Sequence, residues 1–197
     1  MNELQIIRSQ LAVEQAHAAD VTQACAAVFG SAESASAEPV PPSEGTALFR
    51  EACVSYLVWV LARFEERDQT LSELLASRQP AATAAAASAR QLMSLIGRSG
   101  TSREALSRLE TALAAGDTPA ARAGWREFAS FFDSAWMPRR AALEQALAEH
   151  LSVADWRRVC AIDADFILDE RNRFARVTAQ LPPGIELRRP PSAALRP

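Results

Sequence analysis

Lysine is absent from this chain of 197 residues, and all 21 basic residues are arginine. An all-Arg, Ala-rich composition fits a GC-rich bacterial genome before it fits any special use of guanidinium. Histidine occurs only twice, as His17 and His150, which excludes a His-rich metal centre built by one chain. Cysteine occurs three times, at Cys25, Cys53 and Cys160. The number is odd and the spacing wide, which excludes a disulfide framework and a C-x-x-C metal site and leaves buried free thiols.

Other absences narrow the function. There is no excess of positive charge, the net being -3, so no electrostatic case exists for nucleic acid or an anionic membrane as partner. No glycine-rich phosphate loop occurs, and no Ser or Cys sits in a pattern suggesting a catalytic triad. The N-terminal MNELQIIRSQ lacks the apolar segment of a secretory signal. The most apolar run, residues 54–62, is too short to span a bilayer and is interrupted by Ser55. These readings predict a cytoplasmic protein without a membrane partner.

What is present is helical periodicity. Hydrophobic content of 49% and charge of 23% are ordinary for one globular domain of this length. Residues 47–75 carry the stripe Val54, Leu57, Leu61, Phe64, Asp68, Leu71, Leu75, with alternating intervals of three and four. Residues 2–29 carry Leu4, Ile7, Leu11, Glu14, Ala18, Val21, Cys25, Val28 in the same rhythm. A third helix is expected over 81–96, a link at Gly97 to Glu104, and a short helix over 103–115 started by a Thr101-to-Glu104 capping box. The next helix opens at Thr118 as N-cap and Pro119, and follows Trp125, Ala129, Phe132, Trp136, Arg140, Leu143, Leu147, His150, with Pro138 expected to kink or split it. The last opens at Ser152 with Asp155 and runs through Trp156, Cys160, Asp163, Ile167, Glu170, Phe174 and Val177.

No segment alternates with period two. The fold class expected is all-α, an up-and-down antiparallel four-helix bundle with an additional short helix. One domain spans residues 1–181, with 31–45 as an exposed connector and 182–197 as a disordered tail.

Charged residues fall on or beside the apolar seams: Glu14, Asp68, Arg140, Asp163 and Glu170, with His17 one turn from Glu14 and Arg63 flanking. Burying any of them unpaired costs several kcal/mol. They must meet each other, water, a small ligand or a metal. An internal salt-bridge network that fixes helix register is one reading, and a polar ligand or catalytic pocket another. A site for iron or another divalent metal at Glu14 and His17 is the third, because Glu-x-x-His puts both ligands on one helix face. No second Glu-x-x-His accompanies it, and Asp163 and Glu170 stand about 10 Å apart along a helix, too far for one compact ion. The run Glu65-Glu66-Arg67 reads as a solvated face. Phe128, Phe131, Phe132 and Trp136 read as core, with Phe131 off the seam and able to face a partner chain.

Leu11-Ala-Val-Glu14-Gln-Ala-His17 resembles the first-helix pattern of the hemerythrin-like family. Phe64-Glu65-Glu66-Arg67 and Phe128-x-x-Phe131-Phe132, with the later Glu144, are similar to its aromatic and acid-rich helices. The resemblance covers residues 4–177. It implies an antiparallel four-helix bundle with a non-haem di-iron centre held mostly by histidines. With two histidines in the chain, it further implies a metal centre either lost or rebuilt from carboxylates. The function expected is a bundle whose polar core forms a small-ligand or metal pocket. The alternative is a non-catalytic interaction or self-association protein, including a homodimer, with a purely structural charge network. Acid-base or redox catalysis stands third.

Overall fold

The computed structural model describes residues 3–29, 44–78, 84–147, 151–161 and 164–187. The described residues are all-α: α1 (Glu3–Phe29), α2 (Glu44–Arg78), α3 (Ala84–Ala114), α4 (Thr118–Phe131), α5 (Met137–Leu147), α6 (Val153–Cys160) and α7 (Ala164–Ala179). Between α4 and α5 lies a π-helical turn, Phe132–Trp136.

The two long seams are buried as their spacing requires. Val54, Leu57, Leu61, Phe64, Asp68, Leu71 and Leu75 of α2 are all buried, as are Ile7, Leu11, Glu14, Ala18, Val21 and Cys25 of α1. α2 touches α1, α3, α6 and α7, and is the element around which the others assemble. By length and composition Gly45–Leu75 would also suit a membrane span, but its apolar stripe is taken up by this core.

Three expectations are corrected. α3 runs unbroken through Gly97 and Gly100, where a link and a new capping box were expected. Two glycines cost the helix about 1 kcal/mol each against alanine. The burial of Leu95, Ala105, Leu106 and Leu109 along the same helix outweighs that cost. Thr101 and Glu104 lie inside the helix instead of starting one, and Ser102 between them is buried. The N-cap of α4 is Asp117, not Thr118: its Oδ1 accepts from the Ala120 backbone N–H at 3.0 Å, with Gly116 in the left-handed region (φ 67°) turning the chain out of α3.

The long last helix is in fact two. α6 opens with a capping box between Ser152 and Asp155, as expected, but ends at Ala161, which is left-handed (φ 44°). Asp163 lies outside the described residues, so its place on the seam is not assigned.

Pro138 does break the helical path. It has no N–H to give to the preceding turn. The chain widens there, and Met137 N–H donates to the Phe132 carbonyl five residues back. Trp136 closes this turn and Arg140 follows it, and both are buried. At the other end, Ile185 and Leu187 are partly buried against the core, within the stretch expected as tail, while 188–197 lie outside the described residues.

Gly124 sits where α4 comes closest to α3. A Cβ there would lie 3.4 Å from the Ala105 carbonyl oxygen and from Leu109. Gly124→Ala should be tolerated, because helix propensity offsets the tight contact. Gly124→Val should lower unfolding free energy by about 1–3 kcal/mol, read by urea denaturation, because branching forces the two helices apart.

Candidate functional site

The misplaced charges converge in the protein interior in three linked groups. In the first, Arg140 of α5 pairs with Asp68 of α2 and, 2.9 Å away, with Glu144 one turn on. Its guanidinium lies 4.6 Å from the Phe64 ring centre and 5.3 Å from that of Trp136, so two aromatic faces cover the cation. Gln15 of α1 donates to the other Glu144 oxygen at 2.7 Å. One cation thus ties α1, α2 and α5 together.

In the second group, Arg67 of α2 brings Nη2 to 2.7 Å from Glu14 Oε2. The atoms are close but poorly aligned for a hydrogen bond, so the contact is mainly one of charge, and Glu14 Oε1 meets no donor. Arg67 Nε donates to the Cys160 carbonyl at 3.3 Å. That oxygen belongs to the last residue of α6, so Arg67 also serves as a C-terminal partner for the short helix.

In the third group, His17 Nδ1 lies 2.6 Å from Glu170 Oε1 of α7, and Tyr56 of α2 donates its hydroxyl to the same oxygen at 3.0 Å. His17 stacks on Phe174 with ring centres 3.8 Å apart and planes 11° from parallel. The carboxylate fixes the imidazole with its N–H on Nδ1.

Burial dominates the electrostatics. It raises the Glu14 carboxyl above its ordinary range; Arg67 pulls it down less strongly, and the charge of Glu170 adds to the rise. Burial likewise raises Asp68 in spite of Arg140. For Arg140, burial would lower the value, but Asp68 and Glu144 together more than offset it and hold the guanidinium charged. The Tyr56 phenol is pushed up by burial and then by Glu170, and the Cys160 thiol is pushed up to about 11 by burial. Neither is an available nucleophile or base near neutrality.

The sequence-derived set is therefore brought together in part. Glu14, Asp68, Arg140, His17 and Glu170 all lie in the network and all are buried. Glu14 and His17, three residues apart on α1, nonetheless turn to different partners, Arg67 and Glu170. Among the described residues, no three of His, Cys, Asp and Glu gather into a group that could hold a metal ion. Arg63 stays outside, paired with Glu66 at 2.7 Å.

The solvated-face reading of Glu65-Glu66-Arg67 is corrected at Arg67, which is 2% exposed and is the partner of Glu14. Tyr56 and Gln15 were also missed. The available signal was positional: Arg67 stands three residues after Phe64 and four before Leu71, beside the seam.

Arg67, Asp68, Arg140 and Trp156 enclose a cavity of about 10 Å³, room for roughly one water. Outside it, past Gln15 and Glu144, a cleft of about 300 Å³ opens between Arg8, Ala12 and Ala141. Chemically, the inner arrangement neutralises charge and fixes helix positions; it has no space in which a substrate could meet a reacting group.

The pH dependence follows from the raised carboxyls. Glu14 holds its proton to higher pH folded than unfolded, so the native state binds more protons between the unfolded value and the raised folded value. Its contribution is present at low pH and is lost as pH rises through that window. The stability of Glu14→Gln relative to wild type should shift in the variant's favour as pH rises above the ordinary carboxylate range, measured by urea denaturation across pH. A shift in favour of wild type with rising pH would contradict the assignment. Comparison with protein-family models, with curated proteins and with solved structures finds no match, so the reading of this site stands on its own geometry.

Proposed function

We propose that the chain is a non-catalytic, up-and-down antiparallel helical bundle of hemerythrin-like layout that works by associating with another protein chain, a second copy being the simplest partner. In this reading, buried guanidinium groups provide the internal positive charge that metal ions provide in the family it resembles. The observation that carries it is the pairing of Arg67 and Arg140 with carboxylates from other helices around a cavity of only about 10 Å³. A network already neutralised in this way leaves neither the charge nor the volume for a metal or a substrate. The surface offers apolar side chains for contact: Ile6, Leu48, Met93 and Leu168 are each more than two-fifths exposed.

The cleft of about 300 Å³ beside Gln15 and Glu144 favours a second reading, a small polar ligand bound at the edge of the network.

Two measurements test the first reading. Protein purified without chelator should carry no stoichiometric iron, manganese or zinc, and its melting should not respond to EDTA. Sedimentation should show concentration-dependent association. Stoichiometric metal, or a strict monomer at every concentration, would sink it. The structural role of the charges has its own signature. Arg67→Met alone should cost about 3–5 kcal/mol by stranding Glu14, while Glu14→Leu with Arg67→Met should recover most of that loss.

A further inference from the structure

Away from the interior carboxylates, two arginines near the end of α1, Arg50 and Arg122, have no carboxylate paired with them among the described residues. Arg50 of α2 is 5% exposed. Its Nη2 donates to the Val28 carbonyl at 3.0 Å, in the last turn of α1, and its guanidinium lies 4.7 Å from the Phe29 ring centre. Phe29 stacks on Trp125 of α4 at 5.3 Å. Arg122 precedes Trp125 by three residues, one turn away on the same side of α4. The Nε atoms of both Arg50 and Arg122 are buried and meet no protein acceptor. Among the described residues, neither arginine has a carboxylate partner.

The contrast with Arg67 and Arg140 is direct. Those cations sit against carboxylates, whereas burial and the like charge of Arg122 pull the Arg50 pKa below its ordinary range. The Arg50 side chain is covered by the protein. The Val28 carbonyl and the Phe29 face satisfy part of the Arg50 guanidinium and leave Nε over. The planar fork of arginine suits oxyanions, whose oxygens accept two N–H groups at once.

We propose that Arg50 and Arg122 form a binding site for a compact oxyanion of the phosphate or sulfate type, held between α2 and α4 beside the end of α1. The buried, unpartnered Nε atoms carry the assignment. The site is separate from the interior network of Arg67 and Arg140 and does not depend on the function proposed above.

The test is thermal melting of the full chain in sulfate or inorganic phosphate against chloride and acetate at equal ionic strength. At about 10 mM, sulfate and phosphate should each raise Tm by roughly 2–4 °C over chloride, with acetate giving less. Arg122→Met, at the more exposed of the two positions, should melt as cooperatively as wild type and lose that shift. Arg50→Lys keeps a cation against Val28 but loses the fork, and should weaken the response. An equal shift in Arg122→Met, or no excess over chloride in wild type, would overturn the proposal. A shift that emerges only in a Glu33→Gln, Glu38→Gln chain would make the chain's own carboxylates the counter-charge and overturn it as well.

Discussion

Two arginines in the interior constrain this structure more than any apolar contact does. A guanidinium removed from water costs several kcal/mol unless charge and hydrogen-bond acceptors surround it. Arg140 meets that requirement only where α2 presents Asp68, α5 presents Glu144 and two aromatic rings close over it. Arg67 meets it only where α1 presents Glu14 and α6 ends with the Cys160 carbonyl exposed to it. Sliding a helix by one turn would strand a charge on each side. Apolar seams alone tolerate such slips better, because leucine against leucine is nearly the same one turn along. The charges therefore select one register from several that the seams would permit.

The same requirement explains local irregularities. The π-turn at Phe132–Trp136 absorbs the missing N–H of Pro138, and Trp136 at its end and Arg140 beyond it are both buried. The early end of α6 at left-handed Ala161 leaves the Cys160 carbonyl free for Arg67. A continuous helix through that point would have used the carbonyl internally and left Arg67 with Glu14 alone. Helix breaks and buried cations are two parts of one arrangement here.

The buried seams of α1 and α2 were legible in the sequence, Glu14 and Asp68 included, because a period of 3.6 shows up over 27 and 35 residues whatever the partner. Arg67 was not legible. Its neighbours Glu65 and Glu66 made a charged run, and only tertiary contact distinguishes a charge facing Glu14 from one facing water. The continuity of α3 was hidden for a related reason. Gly97 and Gly100 have the local preferences of a link, but the packing of Leu95 on one side and Leu106 on the other overrides them. The break at Ala161 had no sequence signal, since the left-handed end of a helix is usually marked by glycine or asparagine and not by alanine. Local propensity failed where long-range charge or packing decided.

The distribution of charge inside the molecule separates two roles for arginine. In the interior network, Glu14, Asp68, Glu144 and Glu170 surround Arg67 and Arg140, and His17 completes the group. Burial itself is what raises the Glu14 and Asp68 carboxyls there, against the weaker pull of Arg67 and Arg140. Beside the end of α1 the arrangement differs: Arg50 and Arg122 stand near each other with a helix carbonyl and an aromatic face but no carboxylate among the described residues. If arginine served this fold only as internal cement, both places would show the same pairing. The cations of the interior network are matched by the protein itself, and those at the end of α1 are matched only in part. The remaining compensation for Arg50 and Arg122 must therefore come from beyond the described residues, from water, an ion or another part of the chain.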